Sequence, residues 1–194
     1  ANLVFLVDVS GSMGSSDKLG LAKQSLKLLV ENLRPDDSVA IVTYAGSTRV
    51  VLPATSITDR GKILKALDRL SSGGGTSMGA GLDLAYAEAM KGQQRGATSR
   101  VIVLSDGDAN VGTSDPKGIQ GIVASRVKQG ITVSTIGFGM GNYRDHLMEQ
   151  LADTGNGNSF YIDGLPAAQR IFGDQLASTL EVAAKDVKLQ VEFD

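Results

Sequence analysis

The sequence contains no cysteine and no tryptophan, a single histidine and four prolines in 194 residues. Without cysteine there are no disulfides, thiolate metal sites or cysteine nucleophiles. The compartment stays open, since a domain of this size can be stable without covalent cross-links. The lone histidine, His146, falls in a predicted helix among Arg144, Asp145 and Glu149, the composition of a solvated face, and no Ser-His-Asp arrangement builds around it. Aromatic residues make up only 5%, and Tyr44, Phe138, Tyr143 and Phe160 are too scattered to form a base-stacking platform. Charge of either sign is also not in excess. The formal net charge of −2 gives no broad basic field, so neither nucleic acid nor an anionic membrane is an expected partner. No apolar run approaches the roughly 20 residues that span a bilayer.

What is present is ordinary globular material, 42% hydrophobic and 21% charged, and long enough for one well-covered core. Its rhythm alternates strands and helices. Apolar runs end the first strand at Asp8, a second covers Val39 to Tyr44, and Val101 to Leu104, Ile131 to Phe138 and Ser159 to Ile162 follow. Helical spacing marks Leu19 to Leu33, where Ser16 or Asp17 can cap, and Ile63 to Leu70, where Thr58 or Asp59 can cap. Further helical faces run through Met78, Leu82, Ala85 and Ala89, through Ile119 to Val127 after the Asp115-Pro116 cap, through Leu147 and Leu151, and from Pro166 to Leu180. The tight Gly46-Ser47 link to Thr48–Leu52 favours an antiparallel hairpin, because a parallel return needs a crossover of a dozen or more residues. The predicted fold is α/β: a doubly wound, mostly parallel sheet with one antiparallel edge strand and helices on both faces. The tail Val187 to Phe193 alternates apolar and polar with period two, as a half-exposed strand does. Residues 183–194 are therefore expected to begin a neighbouring β domain or linker strand, with the main domain over 1–182. No fixed-period repeat is present.

The stretch around which the chain is organised is Leu3 to Met13. A buried apolar run ends in Asp8, and Ser10 and Ser12 then supply hydroxyls on either side of Gly11. In open α/β sheets ligands bind just beyond the carboxyl ends of strands. A carboxylate and two hydroxyls there form a hard-oxygen cluster suited to Mg2+ or Ca2+ and poor for soft metals. Two further strand or loop ends deliver oxygens: Thr76 after the Gly73-Gly74-Gly75 loop, and Asp106 after the Val101 strand. All five converge if the first strand lies beside the Val101 strand.

Asp8-Val9-Ser10-Gly11-Ser12 resembles the Asp-x-Ser-x-Ser signature of the von Willebrand factor type A (VWA) domain, which marks that family's metal-ion-dependent adhesion site. The Gly-Gly-Gly-Thr-Ser and Leu-Ser-Asp-Gly-Asp-Ala-Asn stretches are similar to its secreted or lipid-anchored bacterial branch. The resemblance implies a Rossmann-like VWA fold from Asn2 to about Leu180, with metal contacts from the Ser10, Ser12 and Thr76 hydroxyls. Asp8 and Asp106 would hold the ion largely through water and hydrogen bonds, and a partner's Asp or Glu would complete its shell. Integrin relatives add a second cation through acidic residues shortly after the signature; Ser15 and Ser16 stand at those places here, so one metal is expected. Asp108 is placed either to tune the same pocket or to cap the following turn, with the cap favoured, Asn110 is open in the same way, and neither is counted among the site residues.

The function expected is thus a divalent-cation-dependent protein-binding module, not an enzyme, using Mg2+ with Mn2+ or Ca2+ as alternatives. It would belong to a longer extracytoplasmic protein, secreted, periplasmic or lipid-anchored, since Ala1 enters a strand at once. Two other classes fit the residues less well. A nucleotide-binding or phosphotransfer enzyme would want a Gly-Lys-Ser/Thr loop ending, or a Lys and second acid beside Asp8, and neither is present. A scaffold with a vestigial metal site would not need all five oxygen positions filled.

Overall fold

The computed structural model describes residues 1–93, 97–107, 116–139 and 145–175. Six strands form one sheet in the order β3-β2-β1-β4-β5-β6: β1 Asn2–Asp8, β2 Ser38–Tyr44, β3 Thr48–Ser56, β4 Ser99–Ser105, β5 Ile131–Phe138 and β6 Ser159–Ile162. Every pairing is parallel except β2 with β3. The expected doubly wound sheet with one reversed edge is therefore what the chain adopts.

The helices are α1 Leu21–Asn32, α2 Arg60–Asp68, α3 Met78–Lys91, α4 Pro116–Val127, α5 Asp145–Thr154 and α6 Leu165–Gln169. Strand alternation assigns them to two layers. Leu3, Phe5 and Val7 of β1 join Val39, Ile41, Ile102 and Leu104 against α1, α2 and α6. Val4 and Leu6 point the other way, with Ala40, Val42, Val101 and Val103, against α3, α4 and α5. All seven residues of β1 and of β4 are buried, which is why both read as continuous apolar runs instead of alternating ones.

Three local expectations need correction. β3 runs to Ser56, well past Leu52, because a register shift between Val39 and Val42 inserts a bulge that lets the strand continue through Pro53. Proline lacks a ladder donor and is tolerated at such an edge. Neither Ser16 nor Asp17 caps α1: Ser16–Gly20 forms a wide π-type turn, and the regular helix begins at Leu21. Asp59 does stand before α2 but makes no capping hydrogen bond; the cap-like contact one turn earlier is Thr58 N–H donating to Ser56 Oγ at 3.3 Å. The Pro166 helix forms as α6 and continues as a wide turn over Arg170–Gln175, burying Ile171 and Phe172. Leu176, Leu180 and the Val187–Phe193 strand lie outside the described residues, as does the Asp115 cap.

Helix α3 lies unusually close to the sheet. A Cβ on Gly81 would stand 2.8 Å from Tyr44 Cβ, so only glycine admits this approach. The helix thereby presses on Tyr44 at the end of β2.

Candidate functional site

From β1 the chain moves to β2 on one side, while β4 lies on the other. The carboxyl ends of β1 and β4 therefore flank the topological switch point, where an open α/β sheet leaves a crevice. Asp8 closes β1, Tyr44 is its register partner at the end of β2, and Ser105 is one residue beyond Leu104, which pairs with Val7.

Asp8 is fully buried, and its carboxylate is held from three sides. Ser10 N–H donates to Oδ1 at 2.9 Å, Ser105 Oγ–H to Oδ2 at 2.8 Å, and the Tyr44 hydroxyl to Oδ2 at 3.3 Å. Burial nevertheless pushes its pKa up; the hydrogen bonds from Ser10 and Ser105 oppose the shift and the negative charge of Asp106 adds to it. Burial, with Asp8 as neighbour, likewise drives the Tyr44 hydroxyl well above its ordinary value, so it remains a donor. Ser105 in turn accepts from Gly107 N–H at 3.1 Å, which fixes the turn that Gly107 makes at φ +81°.

Beyond Asp8 the chain makes a single 3-10 turn, Gly11–Met13, anchored by the buried Met13. Ser10 Oγ and Ser12 Oγ lie 3.0 Å apart, Ser10 buried and Ser12 exposed. The glycine loop is bound to this turn through two backbone hydrogen bonds, Gly11 N–H to Gly74 O at 3.0 Å and Gly73 N–H to Val9 O at 2.8 Å. Gly74 takes φ +82°, the left-handed region that glycine enters without penalty. Two residues later Thr76 is buried, just ahead of α3.

Asp106 is also buried, and Lys18 Nζ reaches it at 2.8 Å from the wide turn before α1. The Lys18 stem runs beneath Gly139 at the end of β5, where an added Cβ would sit 3.2 Å from its Cε.

Of the five residues singled out in the sequence, Asp8, Ser10 and Ser12 are linked by direct hydrogen bonds or through a shared turn. Thr76 joins through the backbone of its loop, and Asp106 is next to Ser105, which holds Asp8. Three participants were not singled out as site residues: Ser105, Tyr44 and Lys18. The first two become recognisable once the strand order is known, because register places them at the ends of the strands flanking Asp8. Lys18 carries no such signal, since only the wide turn directs it inward. His146 is exposed on the outer face of α5 beside Gln150, 2.7 Å away, as a solvated face predicts. Asp108 and Asn110 lie outside the described residues. Among the described residues no three His, Cys, Asp or Glu side chains gather as a metal cluster, so any cation here would rely on hydroxyls as well as carboxylates.

Residues 2–174 match the sequence profile of the von Willebrand factor type A domain. The chain belongs to this family. VWA domains generally mediate metal-dependent protein interactions, and nothing in the match indicates an enzymatic activity. This VWA domain is 47% identical over 194 residues to the uncharacterized protein YfbK of Escherichia coli, covering 100% of the present chain but 34% of that protein. The chain thus spans about a third of the length of that curated relative. In fold it is similar to an aerotolerance-related membrane protein from Bacteroides fragilis, with TM-score 0.74 and 22% identity over 92% of this chain and 99% of that one. It is also similar to proximal thread matrix protein 1 of the mussel byssus, whose adhesion-site motif holds zinc in that structure, with TM-score 0.72 and 23% identity over 92% and 45% of the two chains. No described helix of this VWA domain is long and apolar enough to cross a membrane.

Proposed function

We propose that the crevice between β1 and β4 holds one divalent cation, Mg2+ with Mn2+ or Ca2+ as alternatives, and uses it to capture an Asp or Glu side chain of a partner protein. The observation that carries this reading is the oxygen set itself. The buried Asp8 carboxylate stands beside two serine hydroxyls 3.0 Å apart, which matches the edge of an oxygen octahedron around Mg2+, about 3.0 Å for metal–oxygen distances near 2.1 Å. Ser10, Ser12 and Thr76 would offer neutral oxygens, and Asp8 and Asp106 would balance the charge. A cation held mainly by neutral groups keeps its attraction for an outside carboxylate, which is the chemistry it supplies when bound. Ser105 and Tyr44 orient Asp8 by occupying one of its oxygens, as partners of metal-holding carboxylates commonly do. Placement of the domain in a longer, extracytoplasmic bacterial protein is part of the same proposal. It is supported by the length of YfbK and by the membrane protein among the fold neighbours.

Calorimetric titration of chelator-treated protein tests the reading. One Mg2+ or Mn2+ per chain is expected, and Thr76→Ala should weaken it by at least about tenfold without lowering the melting temperature of the metal-free protein. Absence of binding by the parent protein for all three cations would sink the proposal.

Lys18 makes a separate prediction. Its ammonium neutralises Asp106 at 2.8 Å and repels an incoming cation, so Lys18→Met should tighten Mg2+ binding, by about 3- to 10-fold given the partial exposure of the pair. Weaker binding in that variant would instead mean that the lysine holds Asp106 in its working position.

A further inference from the structure

The crevice is not the only recessed surface. Between β3 and α2 a cleft of about 520 Å³ opens at the edge of the sheet, and its charge is one-sided. Arg49 stands on β3, Lys62 and Lys65 on α2, and Arg69 at the C-cap of that helix; among the described residues no acidic side chain lines the cleft. Lys62, Lys65 and Arg69 are spaced by three and four, and Arg69 keeps a helical backbone at the cap, so the three cations line up along one side, and like charges at that spacing repel one another. Nothing described in the protein compensates them. Lys27 and Asp68 pair at 2.6 Å, which turns the nearest acid of α2 toward α1, and none of the four cleft cations has an ion-pair or side-chain hydrogen-bond partner among the described residues. A chain of formal charge −2 thus concentrates four exposed, unpaired cations around one concavity.

The floor beneath them is apolar, formed by Val51, Leu52, Ala66 and Leu70. The bulge in β3 contributes here: it shifts the register so that Leu52 faces Ile41 while Arg49 faces Thr43, bringing an apolar and a cationic side chain to the same face of the strand. At its inner end the cleft reaches Val9 and Gly73, whose backbones are hydrogen-bonded beside Asp8.

We propose that this cleft docks an acidic linear segment of a partner protein, one with two or more Asp or Glu residues flanking an aliphatic side chain. The cations are long, exposed and spread over two elements, which suits charges distributed along a chain better than one compact anion; a single anion would call for convergent buried donors, and the cleft has none. Among the described residues no aromatic side chain lines the cleft, so none of them stacks a nucleic-acid base there. Among the described residues the large exposed hydrophobics are Met90, Tyr161 and Leu165, and none of them lines the cleft, so no described side chain beside the cations is placed to enter a bilayer. The site needs no metal, and its test is run with a chelator so that it stands or falls apart from the cation reading.

The test is fluorescence anisotropy of a labelled synthetic peptide in which glutamates flank leucine, compared with the same peptide carrying glutamine at each glutamate. The acidic peptide should bind in chelator, weaken steeply as salt rises, and exceed the glutamine peptide by at least about tenfold. Lys62→Glu/Lys65→Glu and, on the other element, Arg49→Glu should each cut binding by about the same factor, with melting curves confirming that these surface variants stay folded. Equal binding of the two peptides, or unchanged binding by both charge-reversed proteins, overturns the proposal. So does binding of duplex DNA or of anionic phospholipid vesicles as strong as that of the acidic peptide, since the surface would then be a general polyanion contact.

Discussion

Asp8→Asn is expected to abolish the rise in melting temperature that Mg2+ gives the parent protein, while the metal-free variant melts no lower than the metal-free parent. The two halves have different causes. A ligand bound only by the folded state at a hundred times its dissociation constant stabilises by about 2.7 kcal/mol. For a domain of this size that corresponds to a shift of about 5–10 °C. Removing the carboxylate removes the charge that draws the cation, so the shift disappears. The metal-free protein, by contrast, carries a buried carboxylate whose pKa burial has raised, which means that its charged form is held at a cost. The amide lacks that cost and can still accept from Ser10 N–H, while the hydroxyls of Ser105 and Tyr44 can rotate to accept from its NH2. Differential scanning calorimetry of both proteins, with Mg2+ and with chelator, measures all four quantities. A variant that kept the Mg2+ shift would remove Asp8 from the site. A variant much less stable without metal would show that the hydrogen bonds outweigh desolvation.

Gly157→Ala should be the most destabilising single-methyl substitution far from the site, costing about 3 kcal/mol or more and lowering the melting temperature by about 10 °C. Gly157 lies in the turn between α5 and β6, and a Cβ there would fall 1.8 Å from Val133 O and 2.5 Å from its carbonyl carbon. Those are backbone atoms of the central part of β5, so no rotamer change can relieve the clash. The turn itself is anchored, with Gly157 N–H donating to Ala152 O and Val133 N–H to Gly155 O, each at 2.9 Å. Either β5 moves or these hydrogen bonds break. Gly61→Ala is the matched control: nothing lies within 4 Å of its added methyl, and it sits in α2. There alanine should stabilise, by up to about 1 kcal/mol, through helix propensity and a less flexible unfolded chain. A similar loss in both variants would contradict the packing described for the α5–β6 turn.

Much of the architecture was readable in advance because burial on both faces leaves an unambiguous mark. β1 is apolar from Leu3 to Val7 and β4 from Val101 to Leu104, and the limits expected for β5 and β6 are the observed ones. The reversed edge followed from the brevity of the Gly46-Ser47 link. Three things were not readable. The length of β3 depends on a bulge, and a bulge is a choice of register made with a neighbouring strand. The start of α1 depends on the wide turn that carries Lys18 to Asp106, a contact between residues 88 apart in sequence. The supports of Asp8 were hidden for a related reason, since a strand-end tyrosine and serine look like core and turn until the strand order sets them on either side of a carboxylate. Oxygen positions at strand ends can be found from local pattern; the groups that hold them come from pairing.

The flanks of the sheet bear on how copies of the domain can meet. On one side β3 is interrupted by its bulge and by Pro53, which offers no N–H. On the other, β6 is only four residues long. An incoming strand would find a broken ladder at either margin, so edge-to-edge growth into extended cross-strand aggregates is disfavoured by the backbone itself. Many such domains could therefore crowd together at high local concentration and stay distinct, leaving their loops and faces to decide which molecules associate.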